Sequence, residues 1–91
     1  MKLAFIGTGK IIADALFAIE PIKEIEKTAI FARPHSKEKA EAFAKQYNIA
    51  EVYTDYEKLL TETTADTVYI GLINSAHYSY AKQALLHGKN V

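Results

Sequence analysis

Two glycines near the start of the chain, Gly7 and Gly9, have the spacing of a phosphate-binding turn. They follow a short apolar run and precede an amphipathic helical segment, so the pair lies where a strand passes into a helix. Gly7 suits the tight turn, and Gly9, on the other side of Thr8, leaves the backbone open to a pyrophosphate. The free N–H groups at the helix start, near Lys10 and Ile11, offer donors and a partial positive charge to that group.

Alternatives to a phosphate site stay open at this point. The glycine pair could form a turn that binds nothing, and Lys10 could be a solvent-facing helix residue. The third fingerprint position, usually glycine or alanine so that helix and strand pack closely, is Ile12. The segment also lacks the Gly-x-x-x-x-Gly-Lys-Ser/Thr pattern of nucleoside triphosphate loops, which argues against kinases and GTPases.

The loop after the second predicted strand, residues 32–37, contains no acidic residue. An acid there would bind the adenosine ribose of NAD, whereas a basic residue accepts the 2′-phosphate of NADP. Arg33 can present its planar guanidinium to that phosphate and stack on adenine, with Ser36 and Lys37 as helpers. We therefore predict NADP rather than NAD, the alternative being that Arg33 is a solvated loop charge. A further alternative is a methyltransferase, which also has a glycine-rich first turn. It is less favoured because methyltransferases usually carry an acid after the second strand.

Apolar runs alternate with segments of helical period, a pattern typical of a parallel sheet with helices on both faces. We expect strands at residues 3–6, 28–32, 51–53 and 67–72. Helices are expected at residues 10–20, from the cap Ser36 to residue 47, and at residues 76–87. A brief helix is expected to end at residue 60. The predicted fold class is α/β, a partial Rossmann fold. A further strand starts at residues 89–91, so we expect residues 1–91 to be an incomplete dinucleotide-binding domain, truncated near the start of its fifth strand.

Local signals mark where these helices begin and end. Asn48 and Gly88 are expected as left-handed stops of the second and last long helices. The short helix before residue 60 begins either behind Thr54, which could form a capping box with Glu57, or behind Asp55.

Asn74 and His77 follow the last complete strand, at the edge where open parallel sheets bind their ligands. We predict that they contact the ribose or nicotinamide side of the cofactor. The alternative makes Asn74, or Ser75, the cap of the last helix and His77 a surface residue of its first turn. The three histidines are scattered and lack paired acids at ligand spacing, so no metal site is expected.

Composition excludes several classes of protein. Eleven Lys and Arg balance eleven Asp and Glu without a basic stripe, which argues against nucleic-acid binding. No run approaches the roughly 20 apolar residues that span a bilayer. Cysteine is absent, so disulfides and thiolate zinc sites are excluded. We expect a cytoplasmic protein that does not bind membranes.

Taken in order, these segments resemble the Gfo/Idh/MocA oxidoreductase family, which includes glucose-fructose oxidoreductase and inositol dehydrogenase. The resemblance covers the whole chain. Its segments are Gly-x-Gly-x-Ile at 7–11, Ala-Arg at 32–33, the helix pattern at 39–44, a Thr-Pro-Asn-x-x-His type loop at 72–77, and Ala-Leu-x-x-Gly-Lys-x-Val at 84–91. Leu72 and Ile73 stand where the family has Thr and Pro.

The resemblance implies a nicotinamide-dependent oxidoreductase acting on sugars, cyclitols or related hydroxy compounds, with the substrate held by a C-terminal sheet domain. It also implies a catalytic lysine in a Glu-Lys-Pro motif beyond Val91, so no catalytic residue is assigned here and this chain alone is not expected to catalyse. The alternative is a sensor or regulatory module without chemistry.

An unpaired sheet edge beside residues 67–72 predicts self-association.

Overall fold

The computed structural model describes residues 1–72 and 74–91, with the backbone alone for residues 74–77. Within that part of the chain, strands and helices alternate. The strands are β1 (Lys2–Ile6), β2 (Glu26–Phe31), β3 (Glu51–Tyr53) and β4 (Thr67–Ile70). The helices are α1 (Lys10–Ile19), α2 (Lys37–Tyr47), α3 (Tyr56–Glu62) and α4 (Asn74–Leu86), and a 3-10 turn (Pro34–Ser36) precedes α2.

The strands form one parallel sheet in the order β3-β2-β1-β4. The chain moves outward from β1 through β2 to β3 and then crosses back to place β4 on the other side of β1. This order confirms the predicted Rossmann class. The predicted start of a further strand appears as a single parallel bridge between Asn90 and Thr67. The β4 edge that was expected to be unpaired is therefore partly covered.

Helices cover both faces of the sheet because side chains alternate along each strand. On β1, Leu3 and Phe5 face one side, and Ala4 and Ile6 face the other. The first side packs against α1 and α2, with the fully buried residues Ile12, Leu16 and Ala40. The second side packs against α3 and α4, through Tyr56, Leu59, Leu60 and Ala84.

The predicted helix stops are confirmed by backbone conformation. Asn48 is left-handed, with φ 58° and ψ 47°, and its N–H donates to the Ala44 carbonyl. Gly88 likewise has a positive φ of 76°. Of the two start signals for α3, the structure favours Asp55, whose carboxylate accepts a hydrogen bond from the backbone N–H of Lys58 at 3.3 Å.

Other boundaries differ from the sequence prediction, and the differences follow from strand pairing. β4 ends at Ile70 rather than residue 72, because its partner β1 ends at Ile6 where the chain turns. α4 then begins at Asn74, so the predicted cap at Asn74 or Ser75 is wrong. β2 begins two residues early, at Glu26, because it pairs with Lys2.

Ser36 occupies the N-cap position of α2 as predicted, but its side chain makes no capping hydrogen bond. The reason is its backbone. Ser36 closes the 3-10 turn, donating its N–H to the Arg33 carbonyl at 2.8 Å, and has φ −113° and ψ 13° instead of the extended values of a capping residue. Its hydroxyl is left for other contacts.

Candidate functional site

A cleft of about 240 Å³ lies at the carboxyl ends of β1, β2 and β4. This is where the strand order changes direction, since the chain leaves β1 on one side and returns as β4 on the other. Open parallel sheets bind ligands at such a point. The cleft is lined by the three segments that follow these strands: Gly7, Thr8 and Gly9; Phe31, Ala32, Arg33 and Ser36; Gly71 and Leu72.

Gly7 makes the turn that begins the cleft floor. Its φ is +117°, a conformation that side chains rarely adopt, and its N–H donates to the Phe31 carbonyl at 2.9 Å. A Cβ on this residue would also lie 2.8 Å from the backbone oxygen of Gly71. Both the backbone and the surrounding space therefore require glycine at position 7.

Gly9 has neither of these constraints. Its φ of −80° and ψ of −170° are extended values that any residue adopts, and a Cβ there would meet no atom within 4 Å. Gly9 is exposed and lines the cleft. The packing of the protein itself gives no reason for glycine at this position, whereas a ligand in the cleft would need the space.

Beside Gly9, the N-terminus of α1 presents donors that have no intrahelical partner in the described part of the chain. The first hydrogen bond of the helix runs from the Ala13 N–H to the Gly9 carbonyl at 3.0 Å, which leaves the N–H groups of residues 10–12 without an intrahelical partner. Gly9 is the N-cap and has no side chain to satisfy them, and the first turn contains no acid. These donors and the positive end of the helix dipole suit an anion. The side chains of Lys10 and Ile11 are exposed and do not line the cleft.

Two of the three predicted polar residues after β2 reach the cleft. Pro34 restricts Arg33 to extended backbone, φ −64° and ψ 155°, and the exposed Arg33 side chain lines the cleft together with the half-buried Ser36. Within the described residues, no carboxylate lies within ion-pair distance of Arg33. Lys37 begins α2, is exposed, and is not part of the lining.

An aromatic cluster supports the Phe31 wall of the cleft. The Phe31 ring lies 5.5 Å from that of Tyr56 and 5.7 Å from that of Tyr80, and the two tyrosine rings are 4.6 Å apart. The Tyr56 hydroxyl donates to the Tyr80 carbonyl at 2.8 Å. Burial raises the pKa of Tyr56 from 10.0 to about 12, so the hydroxyl remains a hydrogen-bond donor above pH 10. The cluster thus ties α3 and α4 to the wall.

Sequence reasoning missed four lining residues as site members: Phe31, Ala32, Gly71 and Leu72. Gly71 is the first residue after β4 and lies at the same sheet edge as the glycine pair, but the sequence prediction placed it inside the strand, which is why it was not recognised. Asn74 and His77 are at the start of α4, directly after that segment. Their side chains lie outside the described part of the chain, so their contact with a cofactor stays a prediction.

Comparison with known proteins gives a consistent result over the whole chain. The model of the Gfo/Idh/MocA family, described as an oxidoreductase family with an NAD-binding Rossmann fold, matches residues 1–91.

None of the helices in the described part of the chain has the length and apolar character that crossing a bilayer requires.

Individual relatives are similar over the same region. A trans-1,2-dihydrobenzene-1,2-diol dehydrogenase of Xenopus laevis is 30% identical over 99% of this chain and 27% of its own length. A D-xylose 1-dehydrogenase (NADP(+)) of Haloferax volcanii is 31% identical over 100% of this chain and 27% of its own length. A 3-ketoreductase from Actinomadura kijaniata, solved with TDP-benzene and NADP, superposes with a TM-score of 0.86 at 30% identity over 98% of this chain and 28% of its own. The chain spans about a quarter of the length of the curated relatives it matches.

Proposed function

Because this chain belongs to the Gfo/Idh/MocA oxidoreductase family, with its NAD-binding Rossmann fold, we propose that the cleft binds the pyrophosphate of a nicotinamide dinucleotide and that NADP is preferred over NAD. The observation that carries the proposal is Gly9. Gly9 lies between the N-terminus of α1, which has no side-chain cap, and the open space of the cleft. Neither its backbone conformation nor the atoms around it require a glycine there.

The residues present fit this ligand. The pyrophosphate would lie over residues 7–9 and accept hydrogen bonds from the free N–H groups of residues 10–12. The cleft volume of about 240 Å³ is below the roughly 300 to 1,000 Å³ of complete small-molecule sites, so it suits the pyrophosphate and the adjoining ribose rather than the whole dinucleotide. When bound, the nicotinamide ring supplies hydride transfer, while these residues hold and orient the phosphates.

Arg33 supports the preference for NADP. Its guanidinium is exposed at the cleft, in a loop whose residues 32–37 include no acid that would bind an unmodified ribose. A 2′-phosphate on the adenosine ribose would meet the guanidinium fork, with the Ser36 hydroxyl beside it. The xylose dehydrogenase is named for NADP(+) and the 3-ketoreductase was solved with NADP, whereas a scyllo-inositol dehydrogenase of similar fold was solved with NAD(H). These proteins support a nicotinamide dinucleotide, and the preference for NADP rests on Arg33.

For the whole protein, we propose an oxidoreductase that transfers hydride between the dinucleotide and a sugar, cyclitol or related hydroxy compound. Residues 1–91 would be its N-terminal dinucleotide-binding domain, and the catalytic lysine and substrate-binding domain would be supplied elsewhere. The relatives act on a dihydrodiol and on xylose according to their names, which supports a polyol-type substrate.

Calorimetric titration of the purified protein with NADPH and NADH tests the cofactor preference. Arg33→Ala should weaken NADPH binding by about tenfold or more, the value of one charge-assisted contact, and leave NADH nearly unchanged. Lys37→Ala is the matched control, because Lys37 is an exposed cation four residues away that does not line the cleft. Equal loss of NADPH affinity in both variants would show a general charge effect and contradict the assignment of Arg33.

A further inference from the structure

Ile12 and Gly71 make the closest contact between α1 and the end of β4. Ile12 is fully buried at the third position of the glycine fingerprint. A Cβ built on Gly71 would lie 2.6 Å from its Cγ1 and 2.7 Å from its Cδ1, distances that carbon atoms do not tolerate. Gly71 has no positive φ, so its backbone alone would accept alanine. The need for glycine at position 71 therefore comes from Ile12.

Ile12 has no freedom to move away from Gly71. A β-branched side chain in a helix has one strongly preferred χ1 rotamer, which fixes the position of Cγ1. Ile12 is also enclosed by the core cluster on that face of the sheet, including Phe5, Leu16 and Ile30. An added atom on Gly71 must therefore move backbone, either α1 or the segment of Gly71, and so widen the gap between the helix and the end of β4.

Gly71 also contacts the other side of the phosphate-binding turn. Its N–H donates to the Ile6 carbonyl at 2.9 Å, directly before Gly7. Its carbonyl oxygen fills the space that a Gly7 side chain would take, at 2.8 Å from the Cβ position. One residue thus meets the chain both before and after the turn at residues 7–9, and it also lines the cleft.

We propose that the small residue this fingerprint requires has moved from the helix to the end of β4, and that Gly71 is a positioning residue for the phosphate site. In the usual arrangement a small third residue on the helix permits close packing on the strand. Here the helix carries isoleucine and the strand end carries glycine, so the two surfaces remain complementary. The distance between the α1 N-terminus and the sheet, and with it the geometry offered to a pyrophosphate, depends on this pair. The positioning role rests on the proposed function.

A double-mutant cycle tests the pair with two readouts, the Kd for NADPH from calorimetry and the midpoint of urea unfolding. Gly71→Ala should lower the unfolding midpoint and weaken NADPH binding by about tenfold, within the coupling range of contacting residues. Ile12→Ala alone leaves a cavity in the core and should itself lower the unfolding midpoint. Because it removes Cγ1 and Cδ1, adding Gly71→Ala in that background should cause little further loss of stability or of NADPH affinity. Ile12→Val keeps a carbon at the Cγ1 position, so in that background Gly71→Ala should still cost most of what it costs in the wild type. The effect of Gly71→Ala thus reverses or vanishes only when position 12 is alanine.

The two readouts separate the ways in which the proposal can fail. If Gly71→Ala costs as much stability and NADPH affinity in the Ile12→Ala background as in the wild type, the complementary pair is overturned. If its effect on unfolding vanishes in that background while its effect on NADPH affinity persists, the pair is merely structural and the positioning role is overturned. A wild-type protein that is folded but binds neither NADPH nor NADH would overturn the proposed function, and the positioning role with it, while the unfolding cycle still reports on the contact.

Discussion

Replacing Gly9 with alanine tests whether this glycine serves the fold or a ligand. The backbone of Gly9 is extended and a Cβ there meets nothing within 4 Å, so the new methyl group causes neither strain nor a clash. The remaining cost is that alanine is a poorer N-cap than glycine, which amounts to about 1 kcal/mol or less of unfolding free energy. The variant should therefore fold and unfold almost as the wild type does.

Gly7→Ala is the matched control within the same turn. Its φ of +117° and the backbone oxygen of Gly71, 2.8 Å from the Cβ position, make alanine strained and crowded there. We expect a loss of about 1 to 3 kcal/mol from the backbone conformation, and more if the Gly71 segment must shift. Two substitutions of the same size, two residues apart, should thus differ clearly in urea unfolding.

Binding should be weakened by Gly9→Ala even though the fold of that variant is nearly unchanged. A methyl group on Gly9 occupies the space beside the free N–H groups of residues 10–12, and losing one charge-assisted hydrogen bond to a phosphate costs about 1.5 to 3 kcal/mol. At 1.4 kcal/mol for each factor of ten, this weakens binding of NADPH and NADH about 10- to 150-fold. Calorimetric titration beside urea unfolding measures both. A Gly9→Ala variant that binds both cofactors like the wild type would refute the placement of the pyrophosphate over this turn.

Two further predictions concern the aromatic cluster and the outer surface of α4. The pKa of Tyr56 is about 12 in the folded protein and about 10 when unfolded, so its contribution to stability is present below pH 10 and is lost as the pH rises through 12. The free energy of unfolding, measured in urea between pH 9 and 12, should therefore decline less steeply for Tyr56→Phe than for the wild type. An equal decline in both proteins would contradict this. The sequence predicted self-association through the β4 edge; Tyr78, Leu85 and Leu86, which are exposed on α4, offer a second surface for it. In sedimentation velocity, Leu85→Glu with Leu86→Glu should shift the protein toward monomer while Phe17→Glu on α1 should not; a monomeric wild type at high concentration would refute this expectation.

Most of the fold was predictable because its signals are local. The alternation of apolar runs with helical segments indicated four strands and four helices in the observed order, and β3 was located at its observed residues, Glu51–Tyr53. Asn48 was predictable as a helix stop because few residue types adopt the left-handed conformation. The end of β4 was not predictable to the residue, because it depends on where β1 stops pairing.

The site was predictable in part. The glycine turn and Arg33 were recognised from their places at the ends of strands, and the structure brings them to one cleft. Lys37 was grouped with them by sequence proximity, but the 3-10 turn closes before it and α2 carries it away from the lining. Ile12 read as a departure from the fingerprint because its compensating partner, Gly71, is 59 positions later in the chain.

The sequence by itself determined the order of strands and helices, the turn that Gly7 requires, and the absence of an acid after β2. Each of these depends on residue type and on neighbours a few positions apart, since backbone preference and side-chain periodicity act over that range. Only the tertiary structure decided that Gly71 matches Ile12, that Ser36 and not Lys37 lines the cleft with Arg33, and that Tyr56 supports Phe31. Those relations join segments that meet only when the parallel sheet forms, and close packing then permits one size of side chain at each contact.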